Sequence, residues 1–281
     1  MPGYRCVIAG VHDSPAGARA VEVAGLLAAE TEATLVLVAA YPAESDGGVD
    51  DPYQAGDVVA AQRVLKASAQ RCQQMGAGYV PTFAVAGDTV TVLADAVSDH
   101  QADLLLVGSH GLPGMAGRLL PGGPLGVESR NACDVLVVHT TTKRWRRLTG
   151  RRFRHARSGG RRSVMVGVGD SLLSMRAVEQ GAGIAAAVDA NLILVGYRRS
   201  GVGAIEDILQ NGEARARRLG AKTVISIVVR GDAVSGLLDA VEEHQADLLV
   251  LGDRQFTDGR LLDCVGAQVT HSTPTHVLLV H

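Results

Sequence analysis

Two pairs of side chains and one glycine-rich run are the parts of this sequence whose residue types and spacing could do chemistry. His12 stands two residues before Ser14, and Ser109 directly precedes His110. A serine activated by a histidine is a nucleophile, but such a site also needs a group that orients the histidine and donors that stabilise the oxyanion. The spacings provide neither, so we expect no catalytic site, and Ser14 is predicted to be a helix N-cap.

The glycine-rich run VGSHGLPGMAGRLLPGG covers residues 107 to 123. Glycine permits the close approach and the positive φ with which several backbone N–H groups converge on a phosphate. The chain holds 34 glycines, however, so such clusters also arise without a ligand. The meaning of the run therefore depends on the elements that position it.

The segments expected to form those elements occur twice in the sequence. The stretch GDTVTVLADAVSDHQADLLLVG, residues 87 to 108, returns 144 residues later as GDAVSGLLDAVEEHQADLLVLG, and VIAGVHDS, residues 7 to 14, returns 157 residues later as VMVGVGDS. VLVVH at 135 to 139 matches VLLVH at 277 to 281. An internal repeat of this kind predicts two copies of one domain. We place the first domain at 1–140, a linker at 141–162 and the second domain at 163–281.

Each copy alternates short β-branched runs with helical patterns. In the first copy the runs are CVIAGV, TLVLVAAY, YVPTFAV, ADLLLVG and DVLVVH. Asp88 and Asp232 precede helical patterns with one apolar face, so both are predicted N-caps. Buried strands joined by helices predict an α/β fold class, here two doubly wound five-stranded parallel sheets in tandem. The ligand crevice of such a sheet lies at the carboxyl ends of its strands, where the loops after the first and fourth strands meet.

Both copies resemble the universal stress protein domain, through the strand and turn VHDSPAGARAVEVAGLLA and the fourth strand and glycine motif LLLVGSHG. The chain is thus similar to tandem members of that family. The resemblance implies an adenine nucleotide alpha hydrolase-like fold and, in many members, ATP bound on a G-x2-G-x9-G-[ST] motif. Carried over to this sequence, it implies a nucleotide site in the first domain made by Val11, His12, Ala40, Gly108, Ser109, Gly111 and Gly122.

The first copy departs from that motif in its second half. Gly108 and Gly111 fit, but Pro121 and Gly122 stand where the family has glycine followed by Ser or Thr, and His12 stands where the family has aspartate. Proline lacks an N–H and glycine lacks a hydroxyl. Losing two such contacts at about 1.5 kcal/mol each weakens binding on the order of a hundredfold. We therefore expect ATP binding in the first domain to be weak or lost.

The second copy departs further. Its loop reads GDRQFTDGRLLDC, with Gln255 in place of the second glycine and Asp263 and Cys264 in place of the final pair, and Gly169 stands where the first copy has His12. Carboxylates near a phosphate repel it, by roughly 4 kcal/mol for a like-charge pair about 4 Å apart at an effective dielectric of 20. We expect no cofactor in the second domain.

The segment between the copies is the strongest anomaly of composition. From Lys143 to Arg162 it contains ten Lys or Arg and no acid, with Trp145 and Phe153 interleaved, which leaves 17 basic against 29 acidic residues in the rest of the chain. This pattern suits a polyanion such as nucleic acid, an anionic membrane surface, or the acidic faces of the chain's own domains. A solvated linker docked on those domains is the simpler interpretation.

The remaining features favour a soluble cytoplasmic protein, because no leader precedes the first strand and no apolar run approaches the roughly 20 residues that span a bilayer. The cysteines have neither metal-ligand nor disulfide-framework spacing, so we expect buried free thiols at Cys6, Cys72, Cys133 and Cys264. The nine histidines show no ligand spacing, so no metal site is expected. His139 and His281 end equivalent strands and are expected to face solvent.

These observations predict a regulatory or stress-response protein, not an enzyme, that acts through interactions with an unidentified protein partner. One alternative is an ATP-binding switch or slow ATPase that uses the loop from Gly108 to Gly111. Another is a polyanion-binding module that uses the basic linker. We also expect the two copies to pair with each other as an intramolecular pseudo-dimer, because burying sheet edges prevents open-ended association. Further homodimerisation stays open.

Overall fold

A computed structural model describes residues 3–42, 57–109, 133–140, 162–197, 205–230, 232–252 and 265–281. The chain divides into two compact units, and the described residues up to 140 belong to one unit and those from 162 onward to the other. The predicted domain boundaries stay a prediction, since residues 141–161 of the basic linker lie outside the described residues.

The first unit is a parallel sheet of five strands. Its elements in chain order are β1 (Cys6–Gly10), α1 (Pro15–Thr31), β2 (Thr34–Tyr41), α2 (Val58–Gln74), β3 (Thr82–Ala86), α3 (Thr89–Asp99), β4 (Leu104–Gly108) and β5 (Asp134–Val138). The strand order is β3-β2-β1-β4-β5, and all neighbours are parallel. The chain winds outward from β1 to β3 and returns to β4 on the other side of β1. This reversal leaves a crevice where β1 and β4 end.

The second unit repeats this architecture. Its elements are β6 (Ser163–Val168), α4 (Leu172–Val188), β7 (Asn191–Tyr197), α5 (Ile205–Arg218), β8 (Thr223–Val229), α6 (Ala233–Glu243), β9 (Leu248–Gly252), α7 (Val265–Ser272) and β10 (His276–Val280). The order is β8-β7-β6-β9-β10, again with parallel neighbours. The predicted α/β fold of two doubly wound five-stranded sheets is confirmed.

The core of each unit lies around its central strands. Every residue of β4 except Gly108 is buried, as are the four residues of β9 before Gly252, and α1 packs on β4 as α4 packs on β9. The outer strand β3 is mostly exposed. The central strands are therefore the rigid elements that position whatever lies at their ends. No helix of the described part of the chain is long and apolar enough to cross a membrane.

Side-chain caps fix where the helices begin. The Ser14 hydroxyl oxygen accepts a hydrogen bond from the backbone N–H of Gly17 at 3.0 Å and caps α1. Asp88 caps α3 and Asp232 caps α6 through the same kind of bond, at 3.1 and 2.8 Å. Each bond satisfies one of the N–H groups that a helix leaves without an internal partner. The three predicted N-caps are confirmed.

The cysteines agree with the prediction in part. Cys72 and Cys133 are buried free thiols, whereas Cys6, also free, is only half-buried at the start of β1. Burial raises the pKa of the Cys72 thiol to about 11, so it is protonated at neutral pH. Cys264 lies outside the described residues.

The prediction that His139 and His281 face solvent was wrong. Both are buried, with 8% of their surface exposed. Each directly follows a strand whose residues are all buried, and the buried core extends past the end of that strand. Burial, and secondarily the charge of Arg176, lower the pKa of His281 to about 4.

Candidate functional site

A cleft opens at the carboxyl edge of the first sheet, where β1, β2 and β4 end and where α1 and α3 begin. Its space, including the part open to solvent, is about 380 Å³. A few polar side chains interrupt a mostly apolar wall, which is the usual composition of a small-molecule site. The lining residues are Gly10, Val11, His12, Ser14, Gly17, Val38, Ala40, Thr89, Leu93, Val107 and Gly108.

The turn from β1 into α1 forms one side of the cleft. The Ser14 N–H donates to the His12 carbonyl oxygen at 2.9 Å, and the Ser14 hydroxyl is occupied as the cap of α1. A Cβ atom on Gly17 would lie 2.3 Å from the His12 carbonyl oxygen, so only glycine fits there. The first turn of α1 contains no acidic residue, which leaves the positive end of the helix dipole uncompensated within that turn.

Gly108, at the end of β4, has a packing role. A Cβ atom on Gly108 would lie 2.6 Å from the carbonyl carbon of Ala16, in the first turn of α1. In the second unit, a Cβ atom on Gly252 would lie 2.5 Å from the carbonyl carbon of Leu173. The fold therefore needs glycine at this position in both units. The first glycine of the predicted phosphate motif does not by itself indicate a phosphate.

The structure brings four of the seven predicted site residues to the cleft. Val11, His12, Ala40 and Gly108 line it. Ser109 follows directly, and its N–H donates to the Val138 carbonyl oxygen at 2.8 Å, so this donor extends the sheet. The other two predicted residues, Gly111 and Gly122, lie outside the described residues. Ligand binding by any of the seven stays a prediction.

Sequence reasoning missed the contribution of α3. Thr89 and Leu93 line the cleft, and Thr89 is buried with 6% of its surface exposed. The signal was present in the Asp88 cap, because a helix that starts at the carboxyl edge of a parallel sheet directs its first turn toward the crevice. Leu93 lies one turn further along the same helix. Val38, on β2, was missed as well.

The hydroxyl–imidazole pairs do not form a nucleophile and base among the described residues. The Ser14 oxygen serves as a helix cap, and His110 lies outside the described part of the chain. Within that part, no group of three His, Cys, Asp or Glu side chains could hold a metal ion.

The place equivalent to the cleft in the second unit has a different lining. Ser174 stands where the first unit has Gly17, and its hydroxyl oxygen accepts a hydrogen bond from the Gly169 N–H at 2.6 Å. Ser174 is buried, with 4% of its surface exposed. Gly169 is the equivalent of His12, so a side chain of the second unit bonds to the backbone at a position where the first unit has only the close approach of Gly17 to the His12 carbonyl oxygen.

Two further lining positions differ between the units. Tyr197 occupies on β7 the register position that Ala40 occupies on β2, since Ser163 pairs with Asn191 as Cys6 pairs with Thr34. A tyrosine ring is much larger than a methyl group. Ala233 begins α6 where Thr89 begins α3.

Comparison with known proteins finds that this chain is similar to universal stress proteins. Universal stress protein Rv1636 of Mycobacterium tuberculosis is 33% identical over 147 residues, which are 50% of this chain and all of that protein. A crystal structure of a universal stress protein from Archaeoglobus fulgidus shares the fold, with a TM-score of 0.75 and 17% identity over 98% of this chain and 95% of its own. A universal stress protein solved in complex with cAMP is 36% identical over 43% of this chain and 98% of its own, with a TM-score of 0.40.

The family match extends over both units. Residues 3–139 and 196–281 match the sequence model of the universal stress protein family. The first segment takes in the whole first sheet and the cleft, and the second runs from the end of β7 to the end of the second sheet. Since these two segments make up most of the chain, the protein belongs to the universal stress protein family.

Proposed function

We propose that this protein is a regulatory universal stress protein whose first unit binds an adenine nucleotide weakly and which acts through interactions with other proteins. The observation that carries the proposal is the cleft at the carboxyl edge of the first sheet. It lies at the topological switch point, where open α/β sheets bind their ligands.

The walls of the cleft suit a nucleoside. Val11, Val38, Ala40 and Leu93 give it apolar surface, against which the flat face of a base can pack.

The beginning of α1 suits the charged end of a nucleotide. Helix N-termini attract phosphates through their N–H groups and their dipole, and no carboxylate lies within the first turn of this helix. The glycine-rich run after β4 supplies the remaining predicted donors. Because Pro121 and Gly122 replace the two last motif residues, we expect micromolar to sub-millimolar affinity.

The second unit is not part of the proposed site. The second unit carries a tyrosine at the register position of Ala40, and its Gly169 N–H already donates to the buried Ser174. We therefore propose one nucleotide per chain.

The proposal is tested by calorimetric titration of ATP and ADP, each with magnesium, into the full chain. Saturable heat is expected, together with a raised thermal unfolding midpoint. Ala40→Tyr introduces the residue of the second unit into the cleft and is expected to weaken binding at least tenfold. Tyr197→Ala, the matched change in the other unit, is expected to leave the affinity unchanged.

Two results would count against the proposal. No heat and no shift of the unfolding midpoint at millimolar nucleotide would show that the cleft does not bind nucleotide. Steady release of inorganic phosphate from ATP, lost in Ala40→Tyr, would make the protein an ATPase instead. Thermal unfolding of both variants without nucleotide shows whether each retains its fold.

A further inference from the structure

We infer that β3, the outer strand of the first sheet, is a dimer interface, which pairs antiparallel with β3 of a second copy of this chain. The strand order of the first unit ends at β3. The strand shares no residue with the lining of the cleft, so the pairing does not depend on a nucleotide.

The backbone of β3 has one side that is paired and one side that faces outward. Its described partner is β2. The Leu37 N–H donates to the Pro81 carbonyl oxygen and the Gly87 N–H donates to the Tyr41 carbonyl oxygen, both at 2.9 Å. In a parallel pair, every second residue of a strand directs its N–H and C=O to the same neighbour, here the odd-numbered residues from 81 to 87. The residues that direct their backbone groups away from β2, to the edge of the sheet, are therefore Thr82, Ala84 and Ala86.

The exposed side chains at this edge are apolar. Phe83 is 42% exposed and Val85 is 39% exposed, and as alternate residues of a strand they lie on one face of the sheet. Tyr79, which precedes the strand, is 84% exposed. Phe83 and Tyr79 are the exposed aromatic residues of the described part of a chain in which only 3% of residues are aromatic. Exposed aromatic residues grouped in this way are typical of surfaces that bind another protein.

The strand lacks the charged side chains that commonly keep an edge strand from pairing. Natural proteins protect such edges with lysine or other charged residues on the strand, because an uncharged edge is a template for a further strand. The sequence of β3 is TFAVA, and none of its five residues is ionisable. Nothing on the strand itself therefore opposes the approach of another strand.

The equivalent strand of the second unit differs in this respect. Arg230, which directly follows β8, corresponds to Ala86 under the repeat of 144 residues, and Lys222 directly precedes β8. The strand is also better covered, since Ile225 is its one exposed residue. Charged side chains thus flank β8 at both ends, and we expect no pairing there.

A second copy fits this edge because β3 is complementary to itself. With a two-fold axis at Ala84, that residue bonds to its own counterpart, and Thr82 bonds to Ala86 of the other copy, so all outward backbone groups are used. Phe83 of each copy then faces Val85 of the other in a non-hydrogen-bonded pair, where side chains are closest. An aromatic and a β-branched residue form a favourable cross-strand pair, and no like charges meet along the paired strands.

The length of β3 limits the strength of the dimer. A strand of five residues gives an interface smaller than the roughly 1,200 Å² of a stable complex, so we expect a reversible dimer with a dissociation constant on the order of 10 µM. The two-fold pairing uses the edge of both copies and leaves no further β3 edge open, so association through this strand stops at two chains.

The first experiment is sedimentation of the full chain without nucleotide, at concentrations from tenfold below to tenfold above that constant. Phe83→Lys places a charge on the edge, and Ala84→Pro removes an N–H that points away from β2 while leaving the bonds to β2 in place. Leu219→Lys is the control, since it removes an exposed apolar side chain of the second unit. The unmodified protein and Leu219→Lys are expected to dimerise alike, and the two β3 variants at least about tenfold more weakly. Thermal unfolding shows whether each variant retains its fold.

The second experiment tests the register by cross-linking and does not require that the dimer be weakened. Directly opposite residues in a hydrogen-bonded antiparallel pair have their α-carbons about 5.5 Å apart, within the range that a disulfide spans. Ala84→Cys is therefore expected to form a disulfide-linked dimer under mild oxidation with diamide. Ala86→Cys is the matched control, because its α-carbon lies about 13 Å along the strand from its counterpart. The unmodified protein shows whether the native thiols contribute.

Faster cross-linking of Ala84→Cys than of Ala86→Cys, together with a dimer that both β3 variants weaken, would support the proposal. A monomer at every concentration would overturn it and would leave this edge to a strand of another protein. A dimer of unchanged strength in both Phe83→Lys and Ala84→Pro would overturn it in favour of another surface of the chain. Equal cross-linking of the two cysteine variants would overturn the pairing about Ala84.

Discussion

The two units share a strand order but differ at the carboxyl edge of their sheets. In the first unit β1, β2 and β4 end at a cleft, and Gly17 and Ala40 are among its lining residues. In the second unit Ser174 and Tyr197 stand at the same two positions, and Ser174 bonds to the backbone. The same fold thus carries different side chains at the equivalent edges of its two copies. The proposed ligand site depends on a few side chains on a shared scaffold.

What the copies have in common identifies the residues that serve the fold. Glu22 on α1 pairs with Arg71 on α2, and Glu179 on α4 pairs with Arg215 on α5. These four residues correspond to one another under the internal repeat. The close approach of a helix to Gly108 recurs at Gly252. A feature present in both units cannot explain a property that is proposed for one.

The largest predicted effect tests whether Gly108 serves packing. Gly108→Ala and Gly252→Ala are each expected to lower the free energy of unfolding by roughly 3 kcal/mol, because the new methyl group meets helix backbone that cannot move aside alone. Gly169→Ala is the control, since a Cβ atom there meets no atom within 4 Å, and a change within about 0.5 kcal/mol is expected. Urea denaturation measures all three. If Gly108→Ala abolished nucleotide binding at unchanged stability, the glycine would serve the ligand and the comparison with Gly252 would fail.

A second prediction concerns the dependence of stability on pH, which His281 of the second unit is expected to cause. The pKa of His281 is lowered to about 4 by burial, so the folded second unit keeps this imidazole neutral while the unfolded chain takes up a proton below about pH 6.5. Stability from this group is complete above pH 6.5 and is lost as the pH falls toward 4, by about 3 kcal/mol in total. His281→Gln is expected to flatten the loss of stability over this interval, measured by urea denaturation at several pH values. His100→Gln, which removes an exposed histidine, should leave the loss of stability unchanged. An equal dependence of stability on pH in the unmodified protein and in His281→Gln would refute the assignment to His281.

The smallest predicted effect concerns the shared ion pairs. Arg71→Gln and Arg215→Gln each remove one of these pairs, and each arginine is half-exposed, so each change is expected to cost only about 0.5 kcal/mol. The two costs should agree with each other, and both should shrink in 1 M salt. Thermal unfolding with and without salt checks this. A cost several times larger in one unit would mean that the units differ in their packing as well as in their clefts.

The fold could be predicted from the sequence because its signals are local and repeated. Buried runs such as CVIAGV and LLLVG, and the caps at Ser14, Asp88 and Asp232, each act through neighbours in the chain. The repetition of these signals 144 and 157 residues later then predicts two copies of one domain. The burial of His139 and His281 was not predictable in this way, since it depends on how far the core extends past the strand ends.

The site could be predicted only in part. Val11, His12, Ala40 and Gly108 reach the cleft because the ends of parallel strands meet at one edge. Thr89 was missed because its approach to the cleft depends on the direction of α3, which a pattern of apolar residues does not give. The roles of Gly108 and Gly17 became visible through distances to the helix backbone.

The most direct test of the account is the number of nucleotides bound per chain, measured by equilibrium dialysis with labelled ATP at saturating concentration. We predict one nucleotide per chain for the unmodified protein and for Tyr197→Ala, and a large loss of binding in Ala40→Tyr. Two nucleotides per chain, or one that remains bound equally well in Ala40→Tyr, would contradict the claim that the cleft of the first unit is the binding site.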